Sequence, residues 1–75
     1  MSRLPSLRPR RVVTTLERAG FVVVRIVGSH YQLFNERTRR HTTVPYHNRD
    51  LPRGTVSAII RQAGLTREEF LNLLR

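Results

Sequence analysis

The sequence contains no cysteine and no lysine, and its apolar runs are short. Without cysteine the chain can form neither disulfides nor a thiolate nucleophile, and most structural zinc sites are excluded. The longest unbroken apolar run covers residues 21–24, whereas a membrane-spanning helix needs roughly 20 residues. The N-terminus also lacks the apolar core of a signal peptide. We therefore expect a cytoplasmic protein that makes no contact with a membrane.

The length of the chain limits the kind of site it can build. A chain of 75 residues has room for one domain, and such a domain buries only roughly 60% of the surface that the unfolded chain exposes. A deep pocket is difficult to form from so thin a core, so we expect a ligand to lie across the surface and no small-molecule cofactor. We predict a single domain over residues 1–75, in which residues 1–7 form a poorly ordered arm.

Positive charge dominates the composition. The chain has 14 basic residues, all of them arginine, against 5 acidic residues, which gives a formal net charge of +9. This charge density favours binding to nucleic acid through counterion release, and the planar guanidinium group binds phosphate oxygens in pairs. A basic surface that is merely solvated, or one that binds an acidic protein, remains the alternative.

Apolar spacing and capping residues predict three helices. Each has a start or stop signal: the first covers residues 9–19 and ends at Gly20, the second is capped by Thr55 and ends at Gly64, and the third begins with a capping box of Thr66 and Glu69.

Three strands are predicted between the first two helices. Residues 21–27, 30–35 and 40–44 are rich in β-branched residues or alternate in polarity, and Gly28-Ser29 suits a two-residue turn of type II′. The order α-β-β-β-α-α indicates an α+β two-layer sandwich, in which the helices cover one face of a three-stranded antiparallel sheet and the other face stays open.

The turn at Gly28-Ser29 predicts the pairing of the first two strands. In this register the partners are Val27 and His30, Ile26 and Tyr31, Arg25 and Gln32, and Val24 and Leu33. The residues expected to meet the helices are Val22, Val24, Ile26, Tyr31 and Leu33. The residues expected on the open face are Arg25, Val27, His30 and Gln32.

An open-face histidine beside an arginine is a candidate site for phosphate chemistry, because imidazole can both accept and donate protons near neutral pH. The residues alone leave open that His30 is an ordinary hairpin histidine. His41 and His47 are weaker candidates, for which structural roles are favoured. We expect no metal site at the three histidines, because no carboxylate or cysteine accompanies them at ligand spacing and the net charge opposes a cation.

Arginines form three clusters in the sequence, at Arg8, Arg10 and Arg11, at Arg37, Arg39 and Arg40, and at Arg49 and Arg53. Four arginines are candidate RNA contacts. Arg25 is favoured because it lies diagonally across from His30, and the second hairpin contributes Arg37, Arg39 and Arg40.

Several segments together resemble the HicA mRNA interferase toxins, over nearly the whole chain. They are Leu16-Glu17-Arg18-Ala19-Gly20-Phe21, Gly28-Ser29-His30, Thr43-Val44-Pro45-Tyr46-His47, Leu51-Pro52-Arg53-Gly54-Thr55, and Ile59-Ile60-Arg61-Gln62-Ala63-Gly64-Leu65 leading to Glu69-Phe70.

The resemblance implies a fold similar to double-stranded-RNA-binding domains, which agrees with the predicted order of elements. It further implies that His30 is catalytic, that the activity is metal-independent cleavage of single-stranded mRNA, which arrests translation, and that a HicB-type antitoxin neutralises the chain. The sequence departs from the family at Val27, where members often carry a basic residue, so a phosphate contact next to the glycine is in doubt. Arg25 is a possible substitute.

Two other classes of function stay open at this point. A non-catalytic module for double-stranded RNA is the first, although such modules usually carry a lysine cluster at the start of the last long helix, where this chain has Thr55-Val56-Ser57-Ala58. The second is an adaptor whose basic surface docks an acidic protein.

Overall fold

The computed structural model describes residues 3–75, and its elements follow the predicted order. They are α1 (Pro9–Arg18), β1 (Val22–Val27), β2 (His30–Asn35), β3 (Arg40–Pro45), α2 (Arg53–Ala63) and α3 (Arg67–Leu74). The strands form one antiparallel sheet in the order β1-β2-β3, with the helices packed on one side of it. The predicted α+β sandwich, similar in layout to double-stranded-RNA-binding domains, is confirmed.

The start of α2 differs from the prediction. The helix begins at Arg53, its N-cap is Pro52, and no side chain caps it, so the prediction that Thr55 is the cap was wrong. The buried Leu51 is held in place by its backbone N–H, which donates to the carbonyl of Leu7 over 2.6 Å. Because the chain is anchored at this point, it can turn into the helix directly after Pro52.

The ends of the other helices agree with the sequence signals. Gly64 ends α2 with a φ of 74°, the left-handed conformation that glycine adopts without strain. At the start of α3, the Thr66 N–H donates to Glu69 over 2.7 Å and the Glu69 N–H donates to the Thr66 hydroxyl over 3.0 Å, which is the predicted capping box. Within residues 3–75 no helix combines the length and apolarity needed to cross a bilayer.

The pairing of β1 with β2 confirms three of the four predicted pairs. Near the start of β1 the register shifts by one residue, so that Leu33 pairs with Val23 and not with Val24, and Val22 pairs with Phe34. An extra residue in one strand moves every residue beyond it to the opposite face. The sequence does not indicate this bulge, because residues 22–24 are three identical valines.

The core lies between the helices and the helix-facing side of β2 and β3. Leu33 and Val44 are fully buried there, together with Leu16 of α1, Val56 of α2 and Phe70 of α3. The helices make their main sheet contacts with β3, so β1 lies farthest from the helical layer.

Because β1 lies farthest from the helices, the prediction for its apolar side chains was wrong. Val22, Val24 and Ile26 were expected to meet the helices, but they are 57%, 58% and 55% exposed. Tyr31 and Leu33, the other two members of the predicted set, do pack in or against the core.

The segment before α1 is packed where the structure describes it. Leu4 and Leu7 are buried in the core, and Leu7 forms an isolated antiparallel bridge with Leu51. Leu4 and Leu7 therefore attach this segment to the core by burying their apolar side chains, within the stretch for which the sequence predicts a poorly ordered arm. The part of that prediction covering residues 1–2 lies outside the described residues.

Candidate nucleic-acid interface

His30 lies at the tip of the β1–β2 hairpin as the first residue of β2. In the turn, Gly28 has a φ of 59° and Ser29 has a negative φ, which is the pattern of the predicted type II′ turn. His30 pairs with Val27 on one side and with Pro45 on the other. Its side chain is exposed, so a ligand can reach the imidazole from solvent.

Two contacts attach this hairpin tip to the end of β3. The backbone N–H of Tyr46 donates to the Ser29 carbonyl over 2.6 Å. Beside it, the rings of Tyr31 and Tyr46 stack with centroids 4.1 Å apart and an interplanar angle of 16°. Since Tyr31 directly follows His30, these contacts restrict the position of the imidazole relative to the sheet.

Strand alternation defines the residues that share the open face with His30. Leu33 and Val44 are buried against the helices, so the residues that alternate with them face away from the helical layer. By their pairing, the open face consists of Val22, Arg25 and Val27 on β1, His30, Gln32 and Phe34 on β2, and His41, Thr43 and Pro45 on β3.

Arg25 is the basic residue of this face closest in register to His30. It pairs with Gln32, two residues beyond His30, and such diagonal neighbours have Cα atoms about 7–8 Å apart. The exposed guanidinium of Arg25 can therefore reach a phosphate group that lies against the imidazole. Arg25 and His30 are the two predicted site residues that the sheet brings together.

Arg39 lies at the other end of the open face. It has a φ of 62°, and its guanidinium carbon is 5.2 Å from the ring centroid of Phe34, a cation–π contact. Phe34 is four residues along β2 from His30, which corresponds to about 13 Å. A nucleic-acid strand lying along β2 would meet His30 at one end and the ring of Phe34 with its arginine at the other.

The structure does not bring Arg37 and Arg40 onto the same face. Arg37 lines an open cavity of about 380 Å³ together with Arg18 and residues of α3. Arg40 lies against the end of α2, where a Cβ added to Gly64 would come within 2.9 Å of the Arg40 Nε. By strand alternation the four predicted RNA contacts are thus divided between the open face and the helical side, although Arg39 and Arg40 line a common open cavity of about 360 Å³ at the edge of β3.

The remaining histidines occupy separate places. His41 is exposed on the open face, opposite Phe34. The Nδ1 atom of His47 accepts the backbone N–H of Arg49 over 3.2 Å, which leaves Nε2 to carry the ring proton in the neutral form. Residues 3–75 contain no group of three or more histidine, aspartate or glutamate side chains placed to hold a metal ion.

A second basic region forms where α1 begins. Arg8, Arg10 and Arg11 line an open cavity of about 380 Å³ with residues 46–48. Arg8 is already engaged, because its Nε lies 3.2 Å from a carboxylate oxygen of Asp50. The three arginines were visible as a charge cluster, but their contact with a loop about 40 positions later has no spacing signal in the sequence.

The model of a family described as the HicA toxin of bacterial toxin-antitoxin matches residues 9–65, a segment that begins with α1, contains the whole sheet and includes His30. No curated protein matches the chain.

Proposed function

The chain belongs to the HicA family of bacterial toxin-antitoxin toxins, and from this membership we propose that it is a cytoplasmic, metal-independent endoribonuclease that cleaves mRNA and uses His30 as its catalytic residue. The observation that carries the proposal is the exposed imidazole of His30 on the open sheet face, with Arg25 as its diagonal neighbour. A HicB-type antitoxin is the proposed neutralising partner.

The reaction proposed for this site needs little from the protein. His30 removes the proton from a ribose 2′-hydroxyl, and the 2′-oxygen forms a bond to the adjacent phosphorus as the bond from phosphorus to the 5′-oxygen breaks. One product ends in a 2′,3′-cyclic phosphate, and the other begins with a 5′-hydroxyl after its oxygen takes up a proton. Because the RNA supplies its own nucleophile, a shallow surface is sufficient for such chemistry.

Arg25 has a separate role in this proposal. Negative charge on the phosphate oxygens increases as the 2′-oxygen attacks, and a guanidinium next to them stabilises that charge. Stacking of a base on Phe34, beside Arg39, would hold the strand along β2. In the place of the family's basic residue, Val27 offers only apolar contact, so Arg25 is the cation on which the proposed site depends.

The first test compares wild-type protein with His30→Ala on a long single-stranded RNA in the presence of a chelator. We expect His30→Ala to lose at least about a hundredfold in cleavage rate, as general acid–base groups typically contribute that much, while RNA binding is retained. His41→Ala is the matched control, because it removes an exposed imidazole from the same face and should cleave at nearly the wild-type rate.

Three outcomes would count against this proposal. Equal cleavage by His30→Ala and wild-type protein would reject the catalytic role of His30. Cleavage of DNA at a comparable rate would reject attack by the 2′-hydroxyl. Binding of RNA duplexes with no cleavage of any RNA by the wild type would support the alternative, a non-catalytic RNA-binding module.

A further inference from the structure

Strand β1 is an open edge of the sheet and carries the exposed apolar surface of the described chain. It pairs with β2 on one side, and no strand lies on its other side in the sheet order. Four of its six side chains are large, apolar and solvent-exposed: Val22 at 57%, Val24 at 58%, Ile26 at 55% and Val27 at 47%. The outer backbone N–H and C=O groups of such an edge are free to pair with another strand.

Most exposed edges carry features that prevent pairing, and β1 has few of them. Charged residues, proline, or very short strands usually protect an edge. β1 is six residues long, contains no proline, and has Arg25 as its single charge. The bulge between Val23 and Arg25 is its one protective irregularity. An apolar edge of this kind is typical of a surface that is covered in a complex.

We propose that β1 is the docking edge for a β-strand of an acidic protein partner, which in a toxin-antitoxin pair is the antitoxin. This inference rests on the proposed function for the identity of the partner. The incoming strand extends the sheet to four strands through backbone hydrogen bonds. Its apolar side chains cover Ile26 on the helix side and Val22 and Val27 on the open side, and a carboxylate faces Arg25.

The charge of the chain selects the acidic partner over a second copy of the same protein. Each copy carries a formal charge of +9, so two copies paired edge to edge would repel each other. In addition, the single charged residue that each β1 would contribute to such an interface, Arg25, is a cation. A negatively charged partner gains from the same field and is drawn to it during the encounter.

Docking at this edge would also affect the site. Neighbouring strands lie about 4.8 Å apart, so the open-face side chains of an added strand lie directly beside Arg25 and Val27. Val27 pairs with His30. The partner's carboxylate would then form an ion pair with the Arg25 guanidinium, which is the group proposed to bind the RNA phosphate. Loss of that phosphate contact would inhibit cleavage, although the partner does not contact the imidazole.

The test variant is Ile26→Lys, which places a charge in the proposed interface. Its control is Asn72→Lys, which adds the same charge at an exposed position on α3. Ile26 is already 55% exposed and lies on the side of β1 opposite the His30 face. Calorimetric titration with the cognate antitoxin should show affinity weakened at least about tenfold for Ile26→Lys, because a buried unpaired charge is costly, and nearly unchanged for Asn72→Lys. Both free variants should cleave RNA at the wild-type rate.

Hydrogen exchange on the same complex provides the second measurement. Amides of β1 that do not donate to β2 should become protected when the antitoxin is bound. Unchanged affinity of Ile26→Lys together with unprotected β1 amides would overturn the proposal. So would a free wild-type chain that sediments as a dimer and becomes monomeric in Ile26→Lys, since the occupant would then be a second copy. If wild-type protein cleaves no RNA, the proposed function fails, while the binding comparison still decides this inference.

Discussion

Tyr31 and Tyr46 illustrate how single residues position the proposed catalytic group. Their stacked rings lie directly behind the hairpin tip, and the Tyr46 N–H holds the carbonyl of Ser29. The turn itself depends on Gly28 with its positive φ, yet a two-residue turn alone leaves a hairpin tip free to bend. Because the contacts from the end of β3 restrict that motion, we expect Tyr46 to act on His30 as a positioning residue.

The Tyr46 stack can be tested with a conservative pair of variants. Tyr46→Ala removes the ring, and we expect kcat for RNA cleavage to fall by about tenfold to a hundredfold, because small displacements of a reacting group are costly, while KM changes little. Tyr46→Phe keeps the stack and should restore the wild-type kcat. A Tyr46→Ala variant with unchanged kcat, or one that loses only KM, would show that the stack does not position His30.

Helix α3 lies entirely beyond the matched segment 9–65, and its two ends are held by different parts of the chain. Its N-terminus is closed by its own capping box. At its C-terminus, the carbonyl of Leu73 accepts from Arg18 over 2.7 Å and the carbonyl of Leu74 accepts from Arg11 over 3.2 Å. The fully buried Phe70 joins the helix to the core, so α3 belongs to the folded unit.

The capping box should contribute measurably to the stability of the whole domain. Thr66→Ala removes the hydroxyl that accepts from Glu69, and the expected loss in the free energy of unfolding is about 1 kcal/mol. Thr66→Ser keeps that acceptor and should stay close to the wild type in the same urea titration. If both variants unfold at the wild-type midpoint, α3 does not unfold together with the rest of the chain.

Across the described molecule, some arginines bind other groups of the protein, and others are exposed and can bind a ligand. On the helical side Arg11 and Arg18 bind the carbonyls of α3, and Arg8 pairs with Asp50. Arg25, on the open face, is exposed. In the proposed function, the net charge of +9 would attract nucleic acid to the entire surface, and the open face would determine where a strand meets His30.

This division predicts a difference in salt dependence between two arginine variants. The affinity for single-stranded RNA should fall steeply with salt, and a variant that loses one phosphate contact should have a slope smaller by about 0.7. We expect this change for Arg25→Gln. Arg67→Gln, at an arginine that is also exposed and lies at the start of α3, should keep the wild-type slope. Both are measured in the His30→Ala background, so that the RNA stays intact, and equal slopes would contradict binding across the open face.

Much of the fold could be predicted because its signals are local. The order of elements, the Gly28-Ser29 turn and the capping box of α3 each depend on residues within a few positions of one another. The hairpin turn also sets the pairing of His30, and through it the face that His30 shares with Arg25. Those features of the candidate site therefore followed from the sequence.

Other features could not be predicted because they depend on contacts between distant segments. Thr55 was a reasonable local signal for the helix N-cap. The backbone hydrogen bond from Leu51 to Leu7 fixes the chain just before Pro52, however, and the helix begins earlier, at Arg53. Likewise, Arg37 and Arg40 resembled the other basic residues of the second hairpin, and only their packing beside the helices separates them from the His30 face.

The sequence by itself determined the elements, the open-face position of His30 and the strongly basic character of the surface, because periodicity, turn chemistry and charge are properties of neighbouring residues. Tertiary structure decided which apolar residues are buried. The helices pack mainly on β3, and the bulge changes the register of β1, so a strand as apolar as any in the core is left at an exposed edge. The same side chains in a central strand would be buried, since burial depends on what lies above and beside a strand.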